Sequence, residues 1–256
     1  MSQLVLLERR EAIAEVTLNR PERHNSLVPA LLEELLATLA TIQADTAVRA
    51  VVLRANGRSF STGGDVRGFF EHIATLETYA NRLVGLLNRV ILALLDLPAP
   101  VVAAVHGPVT GGSLGLVLGA DIVLVAPEAS FTPYYSVVGF CPDGGWTALL
   151  PAVIGPKRAA EILMRNGALT AEQAVAWGLA SRIVPAERIR AEALKVAQEV
   201  AAQKSGSLRC AKHLLGAAYG DPAAQLEAER SRFVQQILTE EAWQGLAAFV
   251  EKRAEA

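Results

Sequence analysis

Cysteine is nearly absent from this sequence: Cys141 and Cys210 are the only two in 256 residues, and they have no CxxC spacing. That excludes a disulfide framework and a cysteine-ligated zinc site, and it fits a reducing cytoplasm. Aromatic residues are scarce too, at 5% of the chain, and methionine occurs twice. The 52% apolar fraction must then build its core mainly from Ala, Val, Leu and Ile, the usual filling of layered α/β folds. Neither sign of charge dominates. With 24 basic and 26 acidic residues and no Lys/Arg block, nucleic acid is not an expected partner. A long uninterrupted apolar run is also missing. The most apolar stretch, residues 98–127, is broken by His106, Gly107, Pro108, Gly111, Gly112 and Asp121, so a soluble protein with no membrane span is expected. The opening MSQLVLLERREA meets charge within eight residues and lacks a basic leader, which reads as neither signal peptide nor transit sequence.

Several chemistries drop out with their motifs. His24, His72, His106 and His213 are scattered, with no HExxH or paired-ligand spacing, so no metal is implied. There is no GxSxG for a serine hydrolase, and neither GxGxxG nor GxxxxGK[ST] for a dinucleotide or Walker phosphate site.

What is present is length for one large domain and an alternation of strand and helix signals. Residues 3–9 and 12–19 read as a hairpin. Leu31, Leu32, Leu35, Leu36 and Leu39 recur at helical spacing before a strand over 49–53, which makes a β-α-β unit with parallel pairing. A loop over 55–64 follows. Further on come a helix over 77–97, a buried strand over 100–105, a small-residue helix over 111–119 and a strand over 121–126. From Trp146 onward the pattern is almost wholly helical, with one strand-like piece at 180–184. A twisted sheet core followed by a helical C-terminal region is the expected α/β fold.

Three segments could carry chemistry. SFSTGGD, residues 59–65, puts a glycine pair between a strand and a helix, where free N–H groups can polarise a carbonyl; it reads equally as a plain turn with Asp65 as helix N-cap. HGPVTGGSLG, residues 106–115, is a second such turn, and its alternative is tight helix packing through small residues, with His106 a satisfied loop histidine. FCPDGGW, residues 140–146, sets Asp143 among Phe131, Tyr134, Tyr135, Val137, Val138, Phe140 and Trp146. Desolvation there would raise its pKa from about 3.9 into the range useful for acid–base work, although Pro-Asp-Gly is also an ordinary turn.

Taken together, LNRPERHNSL at 18–27, FSTGGD at 60–65, PVVAAVHGPVTGGSLGLVLGADIVLVAPEASF at 100–131, AAEILM, AVAWGLASRIV and FVEKR at 249–253 resemble the crotonase superfamily, the enoyl-CoA hydratase and isomerase group, nearly end to end. The resemblance implies a spiral of β-β-α units over residues 1–190 that holds an acyl-CoA site. It also implies a helical C-terminal trimerisation region over 191–256, and homotrimers or hexamers. By motif position, the N–H groups of Gly64 and Gly112 would form an oxyanion hole for the thioester carbonyl. Asp65, Val66 and Arg67 would line the coenzyme-A channel, and Lys252 would reach its phosphates. Coenzyme A enters as part of the substrate, with no separate cofactor. The two glutamates of the family's hydratases fall at Gly115 and Tyr135, neither a carboxylate. Asp143 falls where one-aspartate isomerases, the ring-epoxide isomerase of phenylacetate degradation among them, keep their acid–base. It also matches the nucleophile of 4-chlorobenzoyl-CoA dehalogenases, but their helper histidine is Asn88 here and their activating tryptophan is Tyr135. The expectation is therefore an acyl-CoA isomerase working through Asp143, with a hydratase or hydrolase, and a non-catalytic acyl-CoA-binding member, as the competing readings.

Overall fold

The computed structural model describes residues 3–254. The expected hairpin pairs β1 (Val5–Arg10) antiparallel with β2 (Ile13–Leu18), Val5 opposite Leu18. Helix α1 (Pro29–Ala44) crosses over, burying Leu31, Leu32, Leu35 and Leu39, and β3 (Ala50–Ala55) returns parallel to β2. Helices α2 (Val66–Glu71) and α3 (Leu76–Asp96) lead to β4 (Val101–Val105), β5 (Pro108–Thr110) and α4 (Leu114–Leu118). Next come β6 (Ile122–Val125), β7 (Ser130–Thr132), α5 (Tyr135–Val138), α6 (Leu150–Ile154) and α7 (Pro156–Arg165). Then β8 (Leu169–Thr170), α8 (Ala171–Ala176) and β9 (Arg182–Ile183) precede α9 (Ile189–Ala201), α10 (Ser205–Gly216), α11 (Pro222–Ile237) and α12 (Glu240–Ala254).

The main sheet runs β1-β2-β3-β4-β6-β9, parallel from β2 onward. Its central strands AVVL, VVAAV and IVLV are continuous apolar runs because helices cover both faces. Alternate side chains divide accordingly. Val51, Leu53, Val101, Ala103 and Val105 pack towards α1 and α3, while Ala50, Val52, Val102, Ala104 and Leu124 pack against Ile189, Ala193, Val196 and Ala197 of α9.

A second sheet, β5-β7-β8, departs from the single sheet expected. Its strands are two or three residues long, too short to show a period. The strand expected at 180–184 shrinks to Arg182–Ile183, and the helix expected over 111–119 splits into a 3-10 turn, Gly111–Ser113, followed by α4. Among the described residues no helix is long and apolar enough to cross a membrane.

One buried carboxylate ties the layers together. Glu15 on β2 is fully buried and accepts from Arg54 Nε on β3 (2.5 Å), Arg190 Nε on α9 (2.7 Å) and Arg10 Nε on β1 (2.9 Å). Burial opposes its ionisation, yet the three guanidinium groups together hold its pKa down to about 2. A carboxylate depressed in the folded state adds stability above its unfolded pKa, and that stability is lost as pH falls towards the folded value. Because Arg10 and Arg190 are about half exposed, solvent screening reduces the contribution to about 2 kcal/mol. Urea titrations should therefore show the wild type losing stability between pH about 5 and about 2. Glu15→Gln should be less stable at pH 7 by at least that amount, with a flatter acid limb.

Candidate active site

Two glycine loops lie side by side at the ends of β3 and β4. An isolated parallel bridge, Ser61 with Val109, joins them, and a second, Leu27 with Gly64, ties the first loop to the segment before α1. Their bonds run from Thr110 N to Ser61 O (3.1 Å), from Leu27 N to Gly63 O (2.7 Å) and from Asp65 N to Leu27 O (2.9 Å), which leaves the Gly64 N–H unused. Gly112 is the second residue of the Gly111–Ser113 turn, where an N–H has no intrahelical acceptor. Neither donor has an acceptor among the described residues, and both residues line one cavity of about 370 Å³.

A buried hydroxyl relay fixes the loops relative to each other. Gly63 N donates to Ser113 Oγ (2.8 Å), and Ser61 Oγ donates to Asn25 O (2.7 Å). The remaining 2.5 Å contact between the two hydroxyls must then be donated by Ser113, since Ser61 has spent its single proton. Ser113 and Ser61 are fully buried. Sequence reasoning passed over Ser113 because its role depends on a partner 50 residues away.

Asp143 completes the cavity. It is buried, and a β-carbon placed on Gly112 would lie 3.0 and 3.2 Å from its two carboxylate oxygens, so the group sits against the Gly111–Ser113 loop. The approach requires glycine at 144. Its φ is +64°, and a β-carbon there would come within 2.4 Å of Gly112 O. Trp146 Nε1 adds a bond to Gly111 O (2.8 Å). Tyr135 Oη donates to Asp143 Oδ1 at 2.6 Å, whereas Oδ2 has no hydrogen-bond partner among the described residues. Burial raises the Asp143 pKa to about 7; the Tyr135 bond works against the rise and the nearby Glu229 carboxylate adds to it. Tyr135 itself is pushed well above its ordinary range, chiefly by burial, and stays a donor.

The other expected site residues divide. Val66 lines the cavity, but the Asp65 carboxylate turns away to Arg20 (3.0 Å) and Arg23 (3.1 Å) and caps α2 through Arg67 N (3.2 Å). Arg67 is exposed and lines no part of the cavity, and the side chain of Lys252 lies outside the described residues. Of the histidines, His106 is a satisfied loop residue on Gly57 O (2.8 Å), while His24, not singled out by the sequence, lines the cavity. Phe233 and Phe249 line it too, so the C-terminal region is part of the site. Asn88 donates to Leu226 O (2.9 Å) and is absent from the cavity wall.

Convergent N–H donors beside one carboxylate near neutrality can hold an oxyanion and move a proton. Because the Tyr135 hydrogen bond favours the ionised form of Asp143, Tyr135→Phe should move its titration to higher pH. Carboxyl-carbon NMR of the two proteins would show this, and a midpoint at or below the wild-type one would contradict the geometry.

The arrangement has known counterparts. A model of the family "Enoyl-CoA hydratase/isomerase" matches residues 8–256. A probable enoyl-CoA hydratase of Mycobacterium bovis is 38% identical over 98% of this chain and 91% of its own. The 1,2-epoxyphenylacetyl-CoA isomerase of Escherichia coli is 30% identical over 99% and 98%. Among solved structures, an enoyl-CoA hydratase/isomerase from Mycobacterium paratuberculosis superposes with a TM-score of 0.89 at 26% identity, covering 97% of this chain and 99% of that one. One from Pseudoalteromonas atlantica gives 0.87 at 29%, covering 98% of each. With a spiral fold, two unused loop N–H groups and a match over nearly its whole length, the chain belongs to the enoyl-CoA hydratase/isomerase family of the crotonase superfamily.

Proposed function

We propose that the protein is an acyl-CoA isomerase in which one carboxylate shuttles a proton, moving a double bond from the 3 to the 2 position or rearranging an activated ring thioester. The observation that carries this reading is that Asp143 is the one carboxylate among the described residues lining the cavity. The place of a second is sealed. A β-carbon at Gly115 would lie 2.3 Å from Ile91 Cδ1 and 2.8 Å from Gly144 O, so a glutamate there needs both a new Ile91 rotamer and a shift of the backbone that follows Asp143. The other hydratase position is Tyr135, whose hydroxyl is committed to Asp143.

The chemistry follows from the contacts. The Gly64 and Gly112 N–H groups donate to the thioester carbonyl oxygen. Asp143, ionised, takes a proton from C2, and the electron pair moves through C2 and C1 to leave a dienolate with its charge on that oxygen. The same carboxyl returns the proton at C4, so the double bond ends between C2 and C3 and no water is consumed. Tyr135 donates to Oδ1, which directs the carried proton to Oδ2. A single carrier atom moves the proton on one face of the substrate. Leu27, Val66, Phe69, Leu83, Phe140 and Phe233 supply apolar wall for the acyl group and keep the carboxyl desolvated.

The hydratase names among the relatives support a competing reading, in which Asp143 activates an ordered water. Product analysis separates the two: isomerisation of a 3-enoyl-CoA or ring thioester should outpace hydration of 2-enoyl-CoA, and faster hydration would end the isomerase reading. Asp143→Asn should abolish isomerisation while leaving acyl-CoA binding within about tenfold, ~1.4 kcal/mol, because Asn is nearly isosteric but cannot take and return a proton. Wild-type activity should rise with pH through about 7 as Asp143 ionises.

We further propose a homotrimer or hexamer acting in the cytoplasm. Helix α10 has no buried residue, and its Leu214 and Leu215 are 72% and 74% exposed, which supports a partner surface there. Sedimentation at micromolar concentration should give a trimer or larger, and a monomer would remove this claim.

A further inference from the structure

Glu229 is a buried carboxylate, 4% exposed, that the proton shuttle does not use. It sits on α11, more than 80 residues from the segment it grips. Its Oε2 accepts from Gly145 N (2.8 Å), and its Oε1 accepts from Thr147 N (2.8 Å), Thr147 Oγ1 (2.6 Å) and Ala148 N (2.9 Å). All four bonds come from residues two to five places after Asp143. No Lys, Arg or His pairs with Glu229 among the described residues. A buried charge held only by neutral donors marks a point where the chain is fixed tightly.

On the opposite side the same turn touches the oxyanion loop, Gly144 against the Gly112 backbone and Trp146 on Gly111 O. The turn is thus held between α11 and the loop that binds the oxyanion. We propose that Glu229 is a positioning residue that clamps residues 145–148 and so sets Asp143 against Gly112; this rests on Asp143 being the acid–base of the reaction. The C-terminal region then acts on the chemistry as well as on the cavity wall.

The negative charge has a second effect. It disfavours the ionised form of Asp143, after burial itself and against the Tyr135 hydrogen bond. The titratable groups around Asp143 are Tyr135 from α5, Glu229 from α11 and Cys141 on its own loop, whose thiol is influenced by Asp143, Glu229 and Arg232. Gly112 from its loop and Leu87 from α3 lie against the same point and carry no charge, and His24 lines the same cavity.

Exchange of α-protons in deuterated water, with 3-hexenoyl-CoA and phenylacetyl-CoA as probes, tests this. Glu229→Gln keeps the shape, but it turns one acceptor into a donor facing the donors of the turn and removes the charge. Exchange should fall roughly 10- to 100-fold with acyl-CoA binding within about threefold, the cost of a small misplacement of a reacting group. Because the charge is gone, the acid limb should move to lower pH, raising the variant-to-wild-type rate ratio at pH 6 over that at pH 8 by about threefold or more. A wild-type exchange rate, or a loss matched by weaker binding with an unchanged pH ratio, would overturn the inference. Should Glu229→Gln not fold, Thr147→Val removes one clamp bond and leaves the charge: about a threefold loss at unchanged binding supports the clamp, and no loss rejects it. Asp143→Asn in the same assay separates the layers. Exchange that survives it ends the shuttle reading, whereas its loss beside an unaffected Glu229→Gln ends only the clamp.

Discussion

The close approach of Gly144 to the backbone of Gly112 is the constraint on which the site depends. A β-carbon on Gly144 would lie 2.4 Å from Gly112 O, and one on Gly112 would lie 3.0 Å from Asp143 Oδ1 and 2.7 Å from Leu87 Cδ2, so the Asp143 turn and the Gly111–Ser113 loop meet at the distances seen because neither residue has a side chain. From that contact follow the adjacency of the carboxylate and the donor, the burial that raises its pKa and the sealed surroundings of Gly115.

Such a site opposes stability. Moving the Asp143 pKa from 3.8 to about 7, at about 1.4 kcal/mol per unit, corresponds to about 4 kcal/mol against the ionised form. Among the described residues two loop N–H groups have no protein acceptor, and a second buried carboxylate stands nearby without a cation. The scaffold offsets this with a sheet covered on both faces and with carboxylates placed under guanidinium groups, Glu15 on β2 and Asp65 at the start of α2. The contrast is instructive. Glu15 and Asp143 are both buried, but one meets three arginines and is held ionised, while the other meets a tyrosine and a second carboxylate and can exchange a proton near neutrality.

Asp65 shows how a motif and its role can separate. It ends FSTGGD, and the resemblance put it in the coenzyme-A channel, yet its carboxylate serves the loop by capping α2 and holding Arg20 and Arg23. Its contribution to the cavity is indirect: it fixes the start of the helix that presents Val66 and Phe69 to the wall. The plain reading of Asp65 as an N-cap was the correct local one.

What the sequence by itself determined is what local pattern encodes. The hairpin, the β-α-β unit, α3 and the helical C-terminal region follow from apolar periods of two and 3.6, and the glycine pairs mark the two loops because few other residues allow such backbone approach. The placement of Asp143 beside Gly112 was legible through motif positions. Tertiary structure alone decided the rest, for one physical reason: hydrogen bonds and burial join residues far apart in the chain, and neither leaves a period or a motif. The strands of the second sheet pair in runs of two or three residues. Ser113 acts only once Ser61 and Gly63 lie beside it, and Phe233, Phe249 and Glu229 reach the site only because α11 and α12 fold back over the turn that carries Asp143.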